Sequence, residues 1–307
     1  MADGTRPRTV AALSDAIAAR LARGVDSPME EAREILAGLH DAPRSWSMLH
    51  AADAVTDILI DAAEDAADKR LAGAPMAYAV GRAAFRHLFL HVDERVLIPR
   101  PETEELVTLA LPHITPGSTV VDVGTGSGAI ALALAQESSA GRVIGTDLSA
   151  GAVEVAEMNA RAVLQQEYAR TEFLQGNLLE PVTDERIDVI VSNPPYIAVG
   201  ERQQLPDAVK LWEPEMALFG GGDGLTLIRL LVEQAGRRLS AGGILLMEID
   251  ARRGAQTLAL LSSWLWRDAQ LLPDVFGRDR FVIGRRTTAT VTSPAGSEAR
   301  TSAALLQ

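Results

Sequence analysis

The chain has 307 residues, 47% of them hydrophobic, no cysteine, and a formal net charge of -12. The missing cysteines exclude disulfides, thiolate catalysis and cysteine-ligated zinc and fit a cytoplasmic protein, while the acidic balance disfavours a large nucleic-acid footprint. There is no run of eighteen apolar residues, and residues 1–7 lack the apolar segment of a secretory signal, so neither a membrane span nor a signal peptide is expected.

Residues 1–7 are expected to be disordered, and residues 8–72 read as a small helical bundle. Val10, Leu13, Ile17 and Leu21 recur at helical spacing. Ser27-Pro28-Met29-Glu30 reads as a helix start, with a serine cap, a proline in the first turn and a glutamate three after the cap. Ile35, Leu36 and Leu39 continue that apolar face, and a third helix is expected over 51–71. Gly73-Ala74-Pro75 breaks the pattern. Residues 85–98 then read as a β-hairpin, two extended runs around Val92-Asp93-Glu94. Pro99-Arg100-Pro101 is rigid and unsuited to a helix interior or a central strand. Residues 73–100 thus form a linker with a hairpin.

From Thr119 the pattern changes. Apolar strands are expected over 119–123, 142–146, 172–174, 187–192 and 244–249, with helices over 129–136, 152–161 and 224–239. Buried strands alternating with helices imply an α/β fold, a parallel sheet covered on both faces. Residues 279–285 are a further strand, and 286–307, rich in Thr, Ser and Ala, read as a disordered tail.

Two loops carry chemistry. The first strand ends in Asp122-Val123-Gly124-Thr125-Gly126-Ser127-Gly128 and runs into a helix. Glycines let the backbone turn sharply and approach a ligand, and the carboxyl ends of strands are where open α/β sheets bind ligands. Such a loop alone can also be a plain strand-to-helix turn. Asp147 ends the next strand, where a carboxylate can accept hydrogen bonds from ribose hydroxyls. It could also cap the following helix, although Ser149 can serve as that cap. The alternating glycines and the absence of a phosphate-loop lysine separate this loop from dinucleotide and nucleotide-triphosphate motifs.

The second loop is Ser192-Asn193-Pro194-Pro195-Tyr196, directly after the fourth strand. Two prolines stiffen the backbone and remove two N–H donors. The Asn193 side-chain oxygen and the Pro194 carbonyl can hold both hydrogens of a planar NH₂ group, and Tyr196 offers a ring face for stacking. Acceptors on both N–H bonds offset positive charge as the nitrogen attacks a methyl group. The pattern suits amino-group methylation in general, including that of adenine. Among the five histidines, His87 and His91 stand four apart on a predicted strand, a span of roughly 13 Å, so no metal site is expected.

The glycine loop with Asp122 resembles the first motif of class I methyltransferases, which implies S-adenosylmethionine as cofactor. Further segments resemble the release factor glutamine methyltransferase family: RLAGAPMAYAVG at 70–81, VLIPRPETE at 96–104, Asn193 to Ile197, Glu213-Pro214, GGDGL at 221–225 and Gly277-Arg278-Asp279-Arg280. The resemblance spans roughly residues 70–285. It implies a Rossmann-like class I methyltransferase sheet over 101–285, preceded by a helical substrate-docking domain at 8–72 and the connecting hairpin. By the same resemblance Gly124, Thr125, Gly126, Ser127, Gly128, Asp147, Leu178 and Asn193 contact the cofactor. Asn193, Pro194, Pro195 and Tyr196 hold the acceptor glutamine, with Asn193, Pro194 and Tyr196 carrying the catalysis. The implied activity is methylation of a glutamine N5 in peptide chain release factors, with those factors as protein partners. Arg100 is either solvated or orients substrate or cofactor. Two other readings stay open: a base-amino methyltransferase acting on DNA or RNA, which would flip its base, and a non-catalytic S-adenosylmethionine-fold binding module.

Overall fold

The computed structural model describes residues 6–183 and 186–287. Five helices open the chain: α1 (Val10–Leu21), α2 (Pro28–Leu39), α3 (Trp46–Leu49), α4 (Asp57–Leu71) and α5 (Met76–Val80). Leu13, Ile17 and Leu21 of α1 meet Ile35 and Leu36 of α2 and Ile60, Ala63 and Ala67 of α4 in one core. The 3.6-residue period aligns these side chains on single faces, and their burial holds the bundle together. Thr9 and Thr56 cap α1 and α4 by accepting from the amides of Ala12 and Leu59. Ser27 precedes α2 but makes no side-chain cap bond, so Pro28 and the first-turn Glu30 and Glu31 mark that start. The third long helix begins at Asp57, later than the apolar pattern suggested, because Ala54 bridges to Thr9 and Thr56 takes the capping position.

The expected disordered ends fall mostly on residues 1–5 and 288–307, outside the described residues. Arg6 lies inside the segment expected to be disordered, yet it pairs with Asp57 and Asp61. Arg286, expected to open the tail, instead ends the last strand.

The hairpin is displaced from its expected position. Its strands are β1 (Arg82–Phe85) and β2 (Leu88–His91), and the turn is at Arg86-His87 rather than Val92–Glu94. Arg86 takes a left-handed φ of +52°, which costs a non-glycine residue about 1–2 kcal/mol. Its own contacts offset that cost. The Arg86 amide donates to Glu104 (3.0 Å) and its guanidinium forks onto Glu137 (2.6 Å for each bond). Val92 and Val96 are buried, which gives residues 92–98 a strand-like spacing without strand pairing.

After α6 (Thr103–Ala110) comes the main sheet. Its elements are β3 (Thr119–Val123), α7 (Ala129–Glu137), β4 (Arg142–Asp147), α8 (Ala150–Val163), β5 (Thr171–Gln175), β6 (Ile187–Ser192), α9 (Asp207–Trp212), α10 (Glu215–Leu218), α11 (Thr226–Arg238), β7 (Leu239–Glu248), α12 (Gly254–Leu260), β8 (Trp266–Pro273) and β9 (Asp279–Arg286). The strand order is β5-β4-β3-β6-β7-β9-β8. The first five strands are parallel, and β9 runs antiparallel to both its neighbours. Alternation along each strand divides the core. Val120, Val189 and Leu246 face Leu106, Leu132 and Leu134 on one side. Val121, Ile190 and Leu245 face Ile228, Leu231 and Val232 of α11 on the other. Strand β8 was not expected from the sequence; exposed Arg267 and Asp268 and a register shift before Gln270 hide its alternation.

The chain winds outward from β3 through β4 to β5, then returns across β3 to β6. The crevice between the carboxyl ends of β3 and β6 is therefore the topological switch point, where open α/β sheets place ligands.

Candidate functional site

Register builds the site. Val123 of β3 stands opposite Thr146 of β4 and Ser192 of β6, and Ser192 stands opposite Met247 of β7. The residues that follow are Gly124, Asp147, Asn193 and Glu248, so they leave four adjacent strands at one level. Ser192 locks the central pair, its hydroxyl donating to the Val123 carbonyl at 2.7 Å.

The three glycines of the first loop all have positive φ, +75° at Gly124, +54° at Gly126 and +83° at Gly128. The amides of Gly124 and Thr125 donate to the Thr146 carbonyl, at 2.8 and 2.9 Å. A Cβ on Gly124 or Gly126 would meet no atom within 4 Å. Both line a cavity of about 270 Å³. Gly128 does different work: a Cβ there would press to 3.2 Å on Ala156 and Leu132, where α7 crosses α8.

Thr125, Ser127 and Gly128 were expected to touch the cofactor, but they do not line this cavity; they shape the loop from beneath. The Thr125 hydroxyl donates to Asp122 (2.7 Å), and the Ser127 carbonyl accepts from Asn159 (2.9 Å). Asp122 is fully buried, and burial pushes its carboxyl up to about 7, against the Thr125 hydroxyl and the Ala131 amide that favour its ionised form.

Asp147 faces the cavity, and the helix cap that it could also have been falls to Ser149. One oxygen accepts from the Gly126 amide and the other from the Ser149 amide, each at 2.9 Å, while Ser149 caps α8. Each carboxylate oxygen has a second lone pair for a ligand hydroxyl. Leu97, Leu148, Ala152, Leu178 and Leu227 supply apolar wall, and Leu178 is placed by a φ of +51°.

A second cavity of about 160 Å³ lies along Asn193, Pro194, Pro195, Tyr196 and Ile197, with Arg100 and Val209 also lining it. It shares Leu97, Asn193, Pro195 and Ala217 with the first. Arg100 is not solvated as a free cation: its guanidinium bonds both oxygens of buried Glu213, at 2.6 and 2.8 Å. Behind the loop, residues 220–224 run close to its backbone. A Cβ on Gly220 would collide with the Pro195 carbonyl and one on Gly224 with that of Tyr196.

Sequence reasoning missed two side chains here. Asn193 Nδ2 donates to Thr103 Oγ1 (3.1 Å), whose hydroxyl donates to Glu248 Oε2 (2.7 Å). The Tyr196 hydroxyl points at the other Glu248 oxygen at 3.5 Å. Thr103 and Glu248 are both buried. Burial raises the Glu248 carboxyl above its ordinary range, opposed by the Thr103 hydroxyl and the Arg280 guanidinium. Burial and the Glu248 carboxylate push the Tyr196 phenol up as well, so it keeps its proton. An acidic residue ending a buried strand, in line with Asp147 and Asn193, was the available signal for Glu248.

Two family models match the chain: the PrmC N-terminal domain over residues 11–81 and the Methyltransferase small domain over residues 103–209. The chain is 37% identical over 278 residues to a release factor glutamine methyltransferase of Moorella thermoacetica, covering 90% of this chain and 97% of the relative. The corresponding figures for the Cereibacter sphaeroides protein of that description are 38% over 278 residues, 91% and 98%. For the Aliivibrio fischeri protein they are 36% over 264 residues, 85% and 92%. The seven-stranded sheet has the class I methyltransferase fold that the loops implied. At this identity and coverage, the chain belongs to the release factor glutamine methyltransferase family.

Proposed function

We propose that this protein transfers a methyl group from S-adenosylmethionine to the side-chain amide nitrogen (N5) of a glutamine in peptide chain release factors. The observation that carries the reading is the meeting of two cavities at Asn193 and Pro195, one against the glycine loop and one along the Asn-Pro-Pro-Tyr segment.

The first cavity fits S-adenosylmethionine. Gly124 and Gly126 leave open space where side chains would stand, Asp147 offers lone pairs to ribose hydroxyls, and Leu148, Ala152 and Leu178 make an apolar slot for a flat base. When bound, this cofactor supplies an electrophilic methyl group on a positively charged sulfur. Removing the Asp147 carboxylate takes away those acceptors and also releases the Gly126 and Ser149 amides. Asp147→Ala is expected to weaken cofactor binding by about 1–3 kcal/mol, roughly 5- to 150-fold in Kd, as calorimetry would read. An unchanged Kd would move the ribose away from β4.

The second cavity receives the acceptor. An amide nitrogen delocalises its lone pair into its carbonyl and is a poor nucleophile. The Asn193 side-chain oxygen and the Pro194 carbonyl accept its two N–H bonds, and the Tyr196 ring supports its plane. These groups hold the lone pair toward the first cavity and offset charge as the new N–CH₃ bond forms. Proximity and electrostatic preorganisation supply the rate. The nitrogen then loses one proton to solvent.

The acidic balance of α1 through α5, twelve acidic against six basic residues over 10–70, suits docking of a basic protein surface more than of nucleic acid. Among the described residues no helix is long and apolar enough to cross a membrane, and the reading places the enzyme in the cytoplasm beside its substrate. The test is radiolabelled methyl transfer to purified release factors beside total RNA and DNA, followed by mass spectrometry of the modified residue. Label on a release factor glutamine is expected; label on a base would replace this reading with the nucleic-acid alternative.

A further inference from the structure

We infer that Glu248, acting through Thr103, is the positioning residue that sets which end of the Asn193 side-chain amide faces the acceptor nitrogen. The inference deepens the proposed function and rests on that reading of the Asn-Pro-Pro-Tyr loop.

Proton accounting carries the argument. An asparagine amide has two ends of nearly equal size, a carbonyl that accepts and an NH₂ that donates. Only the carbonyl end can hold an acceptor N–H. Inverted, the amide would aim a donor at a donor, and methyl transfer would lose a stabilising partner. The loop cannot prevent inversion by shape, because the two ends are nearly isosteric. Something must distinguish them by hydrogen bonding.

Thr103 makes that distinction. Its hydroxyl carries one proton, and that proton goes to Glu248 Oε2 at 2.7 Å. With its donor spent, Thr103 Oγ1 can only accept, so Asn193 must present Nδ2 to it, as it does at 3.1 Å. The Asn193 oxygen is then left for the cavities that meet there. Each donor points toward the carboxylate, so the chain runs one way from Asn193 through Thr103 to Glu248. The other Glu248 oxygen receives the Tyr196 hydroxyl at 3.5 Å. One carboxylate therefore reaches both ends of the four-residue loop.

The placement is rigid. Glu248 ends β7, level with Asn193 at the end of β6. Thr103 opens α6, which packs on β6 and β7. Thr103 is 4% exposed and Glu248 1% exposed, so no bulk water competes for these bonds. Low local polarity makes a satisfied chain strong and a reversed one costly.

Glu248→Gln tests the direction of the chain. Glutamine fills the same space but can turn an NH₂ toward Thr103, letting the hydroxyl donate to Asn193 and invert its amide. With a release factor substrate, Glu248→Gln is expected to lower kcat on the order of 10²-fold, the scale of losing one preorganised polar partner. KM and the cofactor Kd should stay within about 3-fold, on the rule that an interaction made only in the transition state leaves binding alone. Thr103 gives an independent pair. Thr103→Val keeps the shape and removes the relay, whereas Thr103→Ser shrinks the side chain and keeps it. A packing role predicts that valine is tolerated better; the relay predicts that serine restores the rate and valine does not.

Exchange protection of the Asn193 side-chain NH₂ protons, read by ¹⁵N NMR, reports the orientation without turnover. Protection in the wild type and Thr103→Ser, lost in Thr103→Val, is expected. A folded Glu248→Gln enzyme at the wild-type rate, or equal rates for the two Thr103 variants, would overturn the inference. A wild-type enzyme that leaves glutamine unmodified would instead overturn the substrate reading, and the NMR pair would still decide the relay.

Discussion

Asn193→Ala is expected to slow methyl transfer on the order of 10²–10³-fold, by analogy with removing one preorganised oxyanion-hole donor, while the fold survives. The two effects separate because the residue's contacts are unequal. In the fold, Asn193 makes one side-chain bond, to Thr103. Thr103 keeps its stronger bond to Glu248 when Asn193 is removed, so the stability cost should be about 1 kcal/mol, the ordinary net value of a hydrogen bond. In the reaction, the lost oxygen is one of two acceptors facing the nitrogen as charge develops. Asn193→Asp retains an oxygen but loses the NH₂ that Thr103 accepts, and it sets a second carboxylate near Glu248. It is expected to be impaired as well. Single-turnover rates at saturating cofactor and substrate separate chemistry from binding, with thermal unfolding run alongside. A folded Asn193→Ala enzyme at a near-normal rate would place the acceptor site away from this loop.

How far the sequence revealed this site follows from what kind of signal each residue carries. Gly124, Gly126, Asp147 and Asn193 were visible because each stands at the end of an apolar strand or directly after one, and strand ends are readable from local pattern. Parallel register then brings them together. Thr103 and Glu248 were hidden because their partnership spans 145 positions in the chain. A threonine in the first turn of a helix looks like an ordinary cap, and α6 conceals that its hydroxyl turns inward. The hairpin failed for a related reason. Val92 and Val96 carry the apolar spacing of a strand, yet the turn is fixed by Arg86 reaching Glu137 and Glu104, two contacts far along the chain. Helix α4 shows the reverse balance: its period is legible in the sequence, but its start is set by a bridge between Thr9 and Ala54 that no local pattern announces. Local periodicity thus located elements, while side-chain contacts between distant segments set their ends.

Gly126→Val is expected to abolish S-adenosylmethionine binding. Two costs act together, and they can be told apart. The first is backbone strain. Gly126 has a φ of +54°, and an L-residue there pays about 1–2 kcal/mol, more when it is β-branched. That cost falls on folding. The second is occlusion. A Cβ added there meets no neighbouring protein atom within 4 Å, so its first carbon enters open space. It stands in the cavity that Gly126 lines beside Asp147. Gly117 separates the two costs. It also has a positive φ, +85°, and open space where a Cβ would stand, but it lies at a turn that does not line the cavity. Gly117→Val should therefore lose stability and keep cofactor affinity, whereas Gly126→Val should lose both. Gly126→Ala, with a single methyl in the same space, should fall between wild type and valine in Kd. Calorimetric titration of the three folded variants gives the answer. Wild-type affinity in a folded Gly126→Val protein would mean that the cofactor does not lie against this loop, and the glycines would then serve only the turn from β3 into α7.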